Sequence, residues 1–194
     1  MTIIDRTASY AKQFTVSGYV LNPAEDRILL IHHKKLAKWL PPGGHVDEDE
    51  TPQAAVVREV FEETGVAAEL RPHAGVDLAA DGRTEAQLDL PISMSYQLIP
   101  ERPGEPAHIH MDMAFVLHTS ERGALTPAAG EVHDAGWFSS IEIDELDAFP
   151  SVKVIARELL APAAAEGRAG SVSPGASPAG PDAVFGEGTS PGRG

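Results

Sequence analysis

A dense group of acidic residues constrains this chain more than any other sequence feature. Glu59, Glu62 and Glu63 lie within five consecutive positions, and Glu50 stands one residue before a predicted helix. On a helix, like charges three or four residues apart are destabilising by about 0.2–0.5 kcal/mol per pair. Either water solvates these carboxylates separately, or the fold holds a cation among them.

The residues around the acids predict a helix with both ends defined. Residues 51–64 have helical periodicity, with Thr51 placed as the N-cap and Pro52 at the first helical position. Gly65 fits the stop. The acids therefore belong to a regular element that follows a glycine-rich loop.

On a helical wheel of this segment, the apolar and acidic residues separate. Ala54, Val57 and Phe61 form a stripe that we expect to pack inward. The three acids fall on the opposite side, within about a quarter to a third of the circle. Carboxylates at this spacing can converge on one hard cation such as Mg²⁺, which prefers oxygen ligands. The alternative is a solvated acidic face.

The spacing of the fixed residues resembles the Nudix box, G-x5-E-x7-R-E-U-x-E-E-x-G-U, in which U is aliphatic. All nine specified positions, spread over 23 residues, are filled. They are Gly44, Glu50, Arg58, Glu59, Val60, Glu62, Glu63, Gly65 and Val66. The wider resemblance to Nudix hydrolases is looser and covers roughly residues 14–160.

This resemblance implies roles for the acids and their neighbours. Glu59, Glu62 and Glu63 would ligate Mg²⁺ or Mn²⁺, and one of them would act as general base. The backbone carbonyl of Gly43 would add a further ligand, and Arg58 would pair with the acids and orient them. Glu50, the first glutamate of the box, would brace the loop against the helix.

The implied function is Mg²⁺-dependent hydrolysis of the pyrophosphate bond in a nucleoside diphosphate linked to another group. Such chemistry depends on positioning and on neutralising phosphate charge, which the acid cluster with its cation would supply. The alternative is a nucleotide-sensing module of the same fold without catalysis. Isoprenoid diphosphate isomerases of this fold need a cysteine, and the chain has none.

Two further groups of residues are candidates from their positions. Glu131 precedes an aromatic strand and resembles the extra metal-binding glutamate of some Nudix hydrolases; otherwise it is a loop acid. His108, His110 and Asp112 alternate along one face of a predicted strand. They could line the substrate cleft, belong to an ordinary exposed strand, or bind a separate transition metal.

A short basic segment precedes the box. Lys34, Lys35 and Lys38 are unusual in a chain this acidic and could contact substrate phosphates; otherwise they are solvated loop residues. Trp39 could stack on a nucleobase or pack beside the prolines that follow it.

The rest of the chain predicts one α/β (α+β) domain and a tail. Residues 1–160 would form a Nudix-like α/β/α sandwich with a mixed β-sheet between helices. Strands are predicted at residues 14–22, 27–33, 75–78, 92–99, 109–118 and 136–139, a loop at 34–44, and a closing helix at 152–160. Residues 161–194 are mostly Ala, Gly, Pro and Ser, and we expect them to be disordered.

Charge and composition narrow the choice of partners. The net charge is −14, which disfavours a nucleic-acid polymer but allows a small phosphorylated nucleotide at a cation-bearing site. No apolar run reaches the roughly 20 residues needed to span a bilayer, and no signal-peptide core is evident. We therefore expect a cytoplasmic protein without a membrane partner, and a homodimer stays open.

Overall fold

The computed structural model describes residues 9–73, 75–120 and 124–161. The predicted tail lies outside these residues from position 162 onward. Within them, the strands are β1 Ala11–Leu21, β2 Ile28–His33, β3 Lys38–Leu40, β4 Gly43–His45, β5 Glu69–Leu70, β6 Ser93–Ile99, β7 His108–His118 and β8 Val132–Phe138. The helices are α1 Pro52–Thr64, α2 Ser140–Glu145 and α3 Pro150–Leu160.

One mixed sheet joins all of these strands. β1 and β7 run parallel, with Ala11 opposite His108 at one end and Leu21 opposite His118 at the other. The remaining pairings are antiparallel: β6 and β5 join β7, β4 joins the middle of β1, and β2 pairs with the end of β1 and carries β3 and β8. The two central strands are buried on both faces over part of their length, as a sheet covered by helices requires.

Helices cover both faces of the sheet, so the predicted α/β/α sandwich is confirmed. On one face α1 packs over a core that includes Val16, Val20, Val56, Val60, Phe115 and Leu117. On the other face α2 and α3 pack over Tyr19, Leu21, Ile28, Leu30, Ile143, Val152 and Ala156. Gly18 lets α1 approach closely, because a Cβ there would lie 2.7 Å from the Val60 side chain.

The ends of α1 lie where the sequence predicts them. The Thr51 side chain accepts a hydrogen bond from the backbone N–H of Ala54 at 3.2 Å, which caps the first turn. Gly65 has φ of 72°, and its N–H donates to the carbonyl of Phe61. This left-handed conformation favours glycine and ends the helix.

The predicted inward face of α1 is wrong. Its buried residues are Ala55, Val56, Val60, Glu63 and Thr64. Ala54 is exposed, Val57 is half-buried and Phe61 is 57% exposed. The helix is rotated so that Glu59 and Glu63 turn toward the loop before it. Of the predicted stripe, only Val57 packs against the core, whereas Ala54 and Phe61 face outward.

Other differences concern short elements. Residues 75–78 form no strand, and the side chains of Val76 and Leu78 are largely exposed. The predicted loop at 34–44 instead contains β3 and part of β4, while β5 and the capped helix α2 were not predicted. Within the described residues, every helix is too short or too polar to cross a lipid bilayer.

Candidate active site

The acids of the box gather where β4 meets α1. Glu63 is only 4% exposed, and its Oε2 accepts the backbone N–H of Gly43 at 2.9 Å. Glu59 lies against Gly44 so closely that a Cβ at position 44 would be 2.3 Å from Glu59 Oε1. A glycine is needed there because any side chain would occupy the space of that carboxylate.

Arg58 ties the loop to the helix. Its Nη1 donates to Glu59 Oε1 at 2.9 Å and to Glu62 Oε2 at 3.1 Å. Its Nε and Nη2 make a two-pronged contact with Glu50, at 3.1 and 2.6 Å, and Nη2 also reaches the carbonyl of His45. These bonds hold the pKa of the Glu50 carboxyl below its usual range. Such bidentate, charge-assisted pairs fix geometry as well as charge.

The buried carboxylates of the site repel one another and lack enough positive charge to balance them. The pKa of Glu63 is raised to about 7, chiefly by burial and also by the nearby carboxylates of Glu59 and Glu131, while the Gly43 N–H opposes the increase. Burial also raises the pKa of Glu59, although Arg58 opposes this. A divalent cation fits such a donor set, because it would stabilise the charged carboxylates that the fold brings together.

In the arrangement described, Arg58 occupies part of the space between the acids. Among the residues that the structure describes, no three His, Asp or Glu side chains converge on one ion position. Glu62 is 56% exposed and bound to Arg58. Its carboxylate would have to leave the guanidinium to join Glu59 and Glu63 around an ion.

Glu131 lies within electrostatic reach of the same acids, since it raises the pKa of both Glu59 and Glu63. It stands on the turn before β8, and its backbone carbonyl accepts the N–H of Lys34 at 2.9 Å. This placement is compatible with Glu131 as a fourth carboxylate of the predicted metal site. Its role as a ligand stays a prediction.

The three lysines before the box differ in their surroundings. Lys34 Nζ donates to the carbonyl of Ala129, and Lys38 pairs with Asp147. Lys35 lies close enough to His33 to lower the pKa of that imidazole, after the larger effect of burial. Lys35 is also exposed. The substrate role of all three lysines stays a prediction.

Trp39 packs against other aromatic rings. Its ring meets Phe138 edge-on at 4.8 Å between centroids and His32 at 5.3 Å. It also joins the core under α2 and α3. These contacts favour packing over base stacking.

The alternating residues of β7 lie on a polar region of the sheet. Asp112 accepts hydrogen bonds from Thr15 Oγ1 at 3.0 Å and Ser17 Oγ at 3.1 Å on the neighbouring strand β1. Burial raises the pKa of this carboxyl. The same strand carries His108, which is buried, and His110, which is partly buried. Their role in binding substrate stays a prediction.

Sequence reasoning missed the partners of these residues. Gln13, Thr15 and Ser17 alternate along β1 beside β7, and His45 pairs with Thr15 from β4. The polar alternation of β1 was a usable signal. The sequence did not reveal that β4 would add a histidine to the same face.

The family model of the NUDIX domain matches residues 11–159. The chain is a member of the NUDIX hydrolase family. The fold matches a NUDIX-family hydrolase from Clostridium perfringens with a TM-score of 0.62 and 30% identity, covering 76% of this chain and 95% of that one. Family membership thus agrees with the box and with the acid cluster at the β4–α1 junction.

Curated relatives of this NUDIX protein match over shorter regions. An RNA pyrophosphohydrolase of Francisella philomiragia is 37% identical over 84 residues, which cover 40% of this chain and 51% of the relative. A diphosphoinositol polyphosphate phosphohydrolase 3-alpha of Mus musculus is 42% identical over 53 residues, covering 27% of this chain and 32% of the relative. The chain thus spans only a third to a half of these relatives.

Proposed function

We propose that this NUDIX protein hydrolyses the pyrophosphate bond of a nucleoside diphosphate linked to another group, with Mg²⁺ or Mn²⁺ as cofactor. The observation that carries the proposal is the buried carboxylate of Glu63. It is fixed to Gly43 and surrounded by further acids, with Glu59 seated against Gly44. A cation would relieve this concentration of negative charge.

In this proposal the residues divide into ligands and positioning groups. Glu59, Glu62 and Glu63 would hold the metal, joined by the Gly43 carbonyl and Glu131. The bound ion would neutralise phosphate oxygens and lower the pKa of a water molecule. Arg58 acts through the carboxylates that it orients, because its donors already reach Glu59 and Glu62.

The reaction is a hydrolysis and needs no further reactant. A water oxygen forms a new bond to one phosphorus, and the bond from that phosphorus to the bridging oxygen breaks. One of the box acids accepts the proton of the attacking water, and the bridging oxygen leaves on the second phosphate. Positioning and charge neutralisation supply most of the catalysis in such transfers.

The substrate remains a class rather than a compound. The two relatives described above carry names for an RNA and for an inositol polyphosphate, so their names point to different leaving groups. The chain's net charge of −14 favours a small nucleotide over a polymer. Cytoplasmic location and a homodimer stay predictions.

A panel of nucleoside triphosphates, dinucleoside polyphosphates and nucleotide sugars tests the proposal. The protein is incubated with each compound in Mg²⁺, in Mn²⁺ and in chelator, and the phosphate products are separated. We expect metal-dependent cleavage of at least one compound, with oxygen from labelled water appearing in one product. Tight nucleotide binding without turnover in either metal would instead establish the sensing module.

A further inference from the structure

Three histidines and a glutamate form a second cluster beside the acid site. His108 Nε2 and His110 Nε2 are 3.1 Å apart, and Glu105 Oε1 is 3.7 Å from the same His108 nitrogen. The ring of His45 meets that of His110 edge-on, with centroids 5.0 Å apart. None of these side chains belongs to the proposed hydrolytic set.

The hydrogen bonds of His108 fix where its proton lies. His108 Nδ1 is 3.0 Å from the backbone carbonyl of Pro106, which can only accept a hydrogen bond. Nδ1 therefore carries the proton, and the lone pair of Nε2 points toward His110. Metal-binding histidines commonly donate their second ring N–H to a carbonyl in this way, which holds the ring in place.

The imidazoles suit a cation better than an anion. Burial, together with His45 and His108, lowers the pKa of His110 to about 4, so its ring is neutral near pH 7. A neutral imidazole has little attraction for a phosphate but offers a lone pair to a metal. Without an ion, His110 Nε2–H donates to His108 Nε2, and an ion would replace that shared proton.

The distances fit a borderline transition metal. Two nitrogens bound to tetrahedral Zn²⁺ at about 2.0–2.1 Å lie roughly 3.3–3.4 Å apart. The observed separation of 3.1 Å requires only a small opening of the pair. Glu105 is half-exposed on the loop before β7, so its carboxylate can move to complete the site.

We propose that His108 and His110, with Glu105, form a second metal site for Zn²⁺ or a similar transition ion, with water completing the tetrahedron. Imidazole nitrogen selects such ions over Mg²⁺, which prefers oxygen. The three side chains are not yet closed around an ion position, as is also true of the box acids. Binding would fasten the loop that carries Glu105 to the start of β7.

Zinc titration of the untagged 194-residue chain tests the site. Saturating Mg²⁺ is present throughout, and Zn²⁺ affinity is measured by competition with a chromogenic chelator. The measurement is repeated in Glu63→Gln, so that zinc bound by the box acids is recognised. Co²⁺ is added in parallel, because its visible absorption reports nitrogen ligands in a tetrahedral site.

His110→Gln and Glu105→Gln are the main variants, because neither residue is fully buried. His133→Gln is the matched control, since His133 is exposed and also lies beside a second histidine ring, His32, at 5.6 Å between centroids. Circular dichroism checks that each variant is folded.

We expect one equivalent of Zn²⁺ to bind the parent and Glu63→Gln alike. His110→Gln should weaken this binding at least tenfold and remove the Co²⁺ bands, Glu105→Gln should weaken it less, and His133→Gln should leave it unchanged. The proposal is overturned if the Mg²⁺-saturated parent takes up no zinc, or if folded His110→Gln binds it as the parent does. Neither result depends on nucleotide hydrolysis, so the proposed function is tested separately.

Discussion

Glu62 and Glu63 are adjacent in sequence but lie in different environments. Glu63 is buried against the Gly43 N–H, whereas Glu62 reaches solvent and contacts Arg58. Burying a carboxylate without a counter-ion is unfavourable unless it is hydrogen-bonded or protonated. Their substitutions should therefore have the same effect on turnover but different effects on stability.

Glu62→Gln and Glu63→Gln should each lower kcat by orders of magnitude, because each removes the charge of a proposed ligand while keeping its shape. The measurement is steady-state hydrolysis of the best substrate in Mg²⁺, with circular dichroism to confirm the fold. Glu48→Gln, at an exposed acid of the same loop, is the control and should retain parental activity. Near-parental turnover in folded Glu62→Gln would remove that residue from the metal set.

Without metal, Glu63 should make a contribution to stability that falls as pH rises from about 4.5 to about 7. Its pKa is raised from 4.5 to about 7 in the folded protein, so between these values the folded state binds a proton that the unfolded state releases. Stability is thus higher on the acid side of this window and is lost as pH rises through it. His110, whose pKa is lowered from 6.5 to about 4, has the opposite effect over an overlapping range, so the test is the difference between the two proteins. In urea unfolding with chelator, the parent should lose stability relative to Glu63→Gln as pH rises through this window. The same pH dependence in both proteins would assign the effect to other groups.

Gly44→Ala should reduce turnover with little loss of stability. The added methyl would lie 2.3 Å from Glu59 Oε1, at the end of a side chain that can swing away. Glu59 would then leave its position beside the other acids. Gly130→Ala is the control, because a Cβ there meets nothing within 4 Å. Thermal unfolding and kcat of both variants should separate the two effects, and equal activities would show that Glu59 tolerates displacement.

At the scale of elements, local sequence signals were sufficient to predict where α1 begins and ends, but not which of its faces is buried. Thr51, Pro52 and Gly65 act within a few residues of themselves, so its ends could be predicted from the sequence. Which face of α1 is buried depends on the residues that pack against the helix. Glu63 is on the buried face because its carboxylate accepts a hydrogen bond from the Gly43 N–H of β4. A helical wheel that assumes acids face water could not anticipate this contact.

The strands show the same division between local and distant causes. The strands β1, β2 and β7 were predicted because each contains a run of apolar residues that is buried in the structure. The predicted strand at 75–78 contains one β-branched residue, Val76, beside Gly75 and Asp77, and it pairs with no strand among the described residues. The box acids were predictable from spacing, whereas the pairing of Asp112 with Thr15 and Ser17 required the β1–β7 register.

Gly18→Ala should weaken the packing of α1 on the sheet. The new Cβ would lie 2.7 Å from Val60 Cγ2 and 3.1 Å from Val56 Cγ2, and both side chains are branched and buried. Overpacking of this kind is destabilising by about 1–3 kcal/mol. Urea unfolding measures the loss, with Gly130→Ala again as the control. Unchanged stability would mean that the helix can shift outward at little cost.

At the scale of the whole molecule, the family match shows a NUDIX domain, and the predicted domain boundaries stay a prediction. The NUDIX match covers residues 11–159, whereas the predicted domain runs from 1 to 160. The remaining residues, 161–194, contain too few large apolar side chains to build a core of their own.

Deleting residues 161–194 should leave both melting temperature and kcat nearly unchanged, since the sequence predicts no core contribution from them. Differential scanning calorimetry and the substrate assay compare the truncated and full chains. Deleting residues 150–194 is the contrasting control, because it also removes α3 with its buried Val152 and Ala156, and it should unfold the domain. A marked drop in melting temperature for the shorter deletion would show that these residues dock on the domain.

The parallel pairing of β1 with β7 also affects how the protein is made. Ala11 pairs with His108, which is synthesised 97 positions later, so the centre of the sheet cannot form until then. At about 5–20 residues per second, that delay lasts roughly 5–20 s on the ribosome. Throughout it, Val16 and Val20 lack their final neighbours from β7. The nascent chain is therefore open to aggregation and to chaperone binding, and variants that disturb this centre should lower cellular yield more than the activity of the molecules that fold.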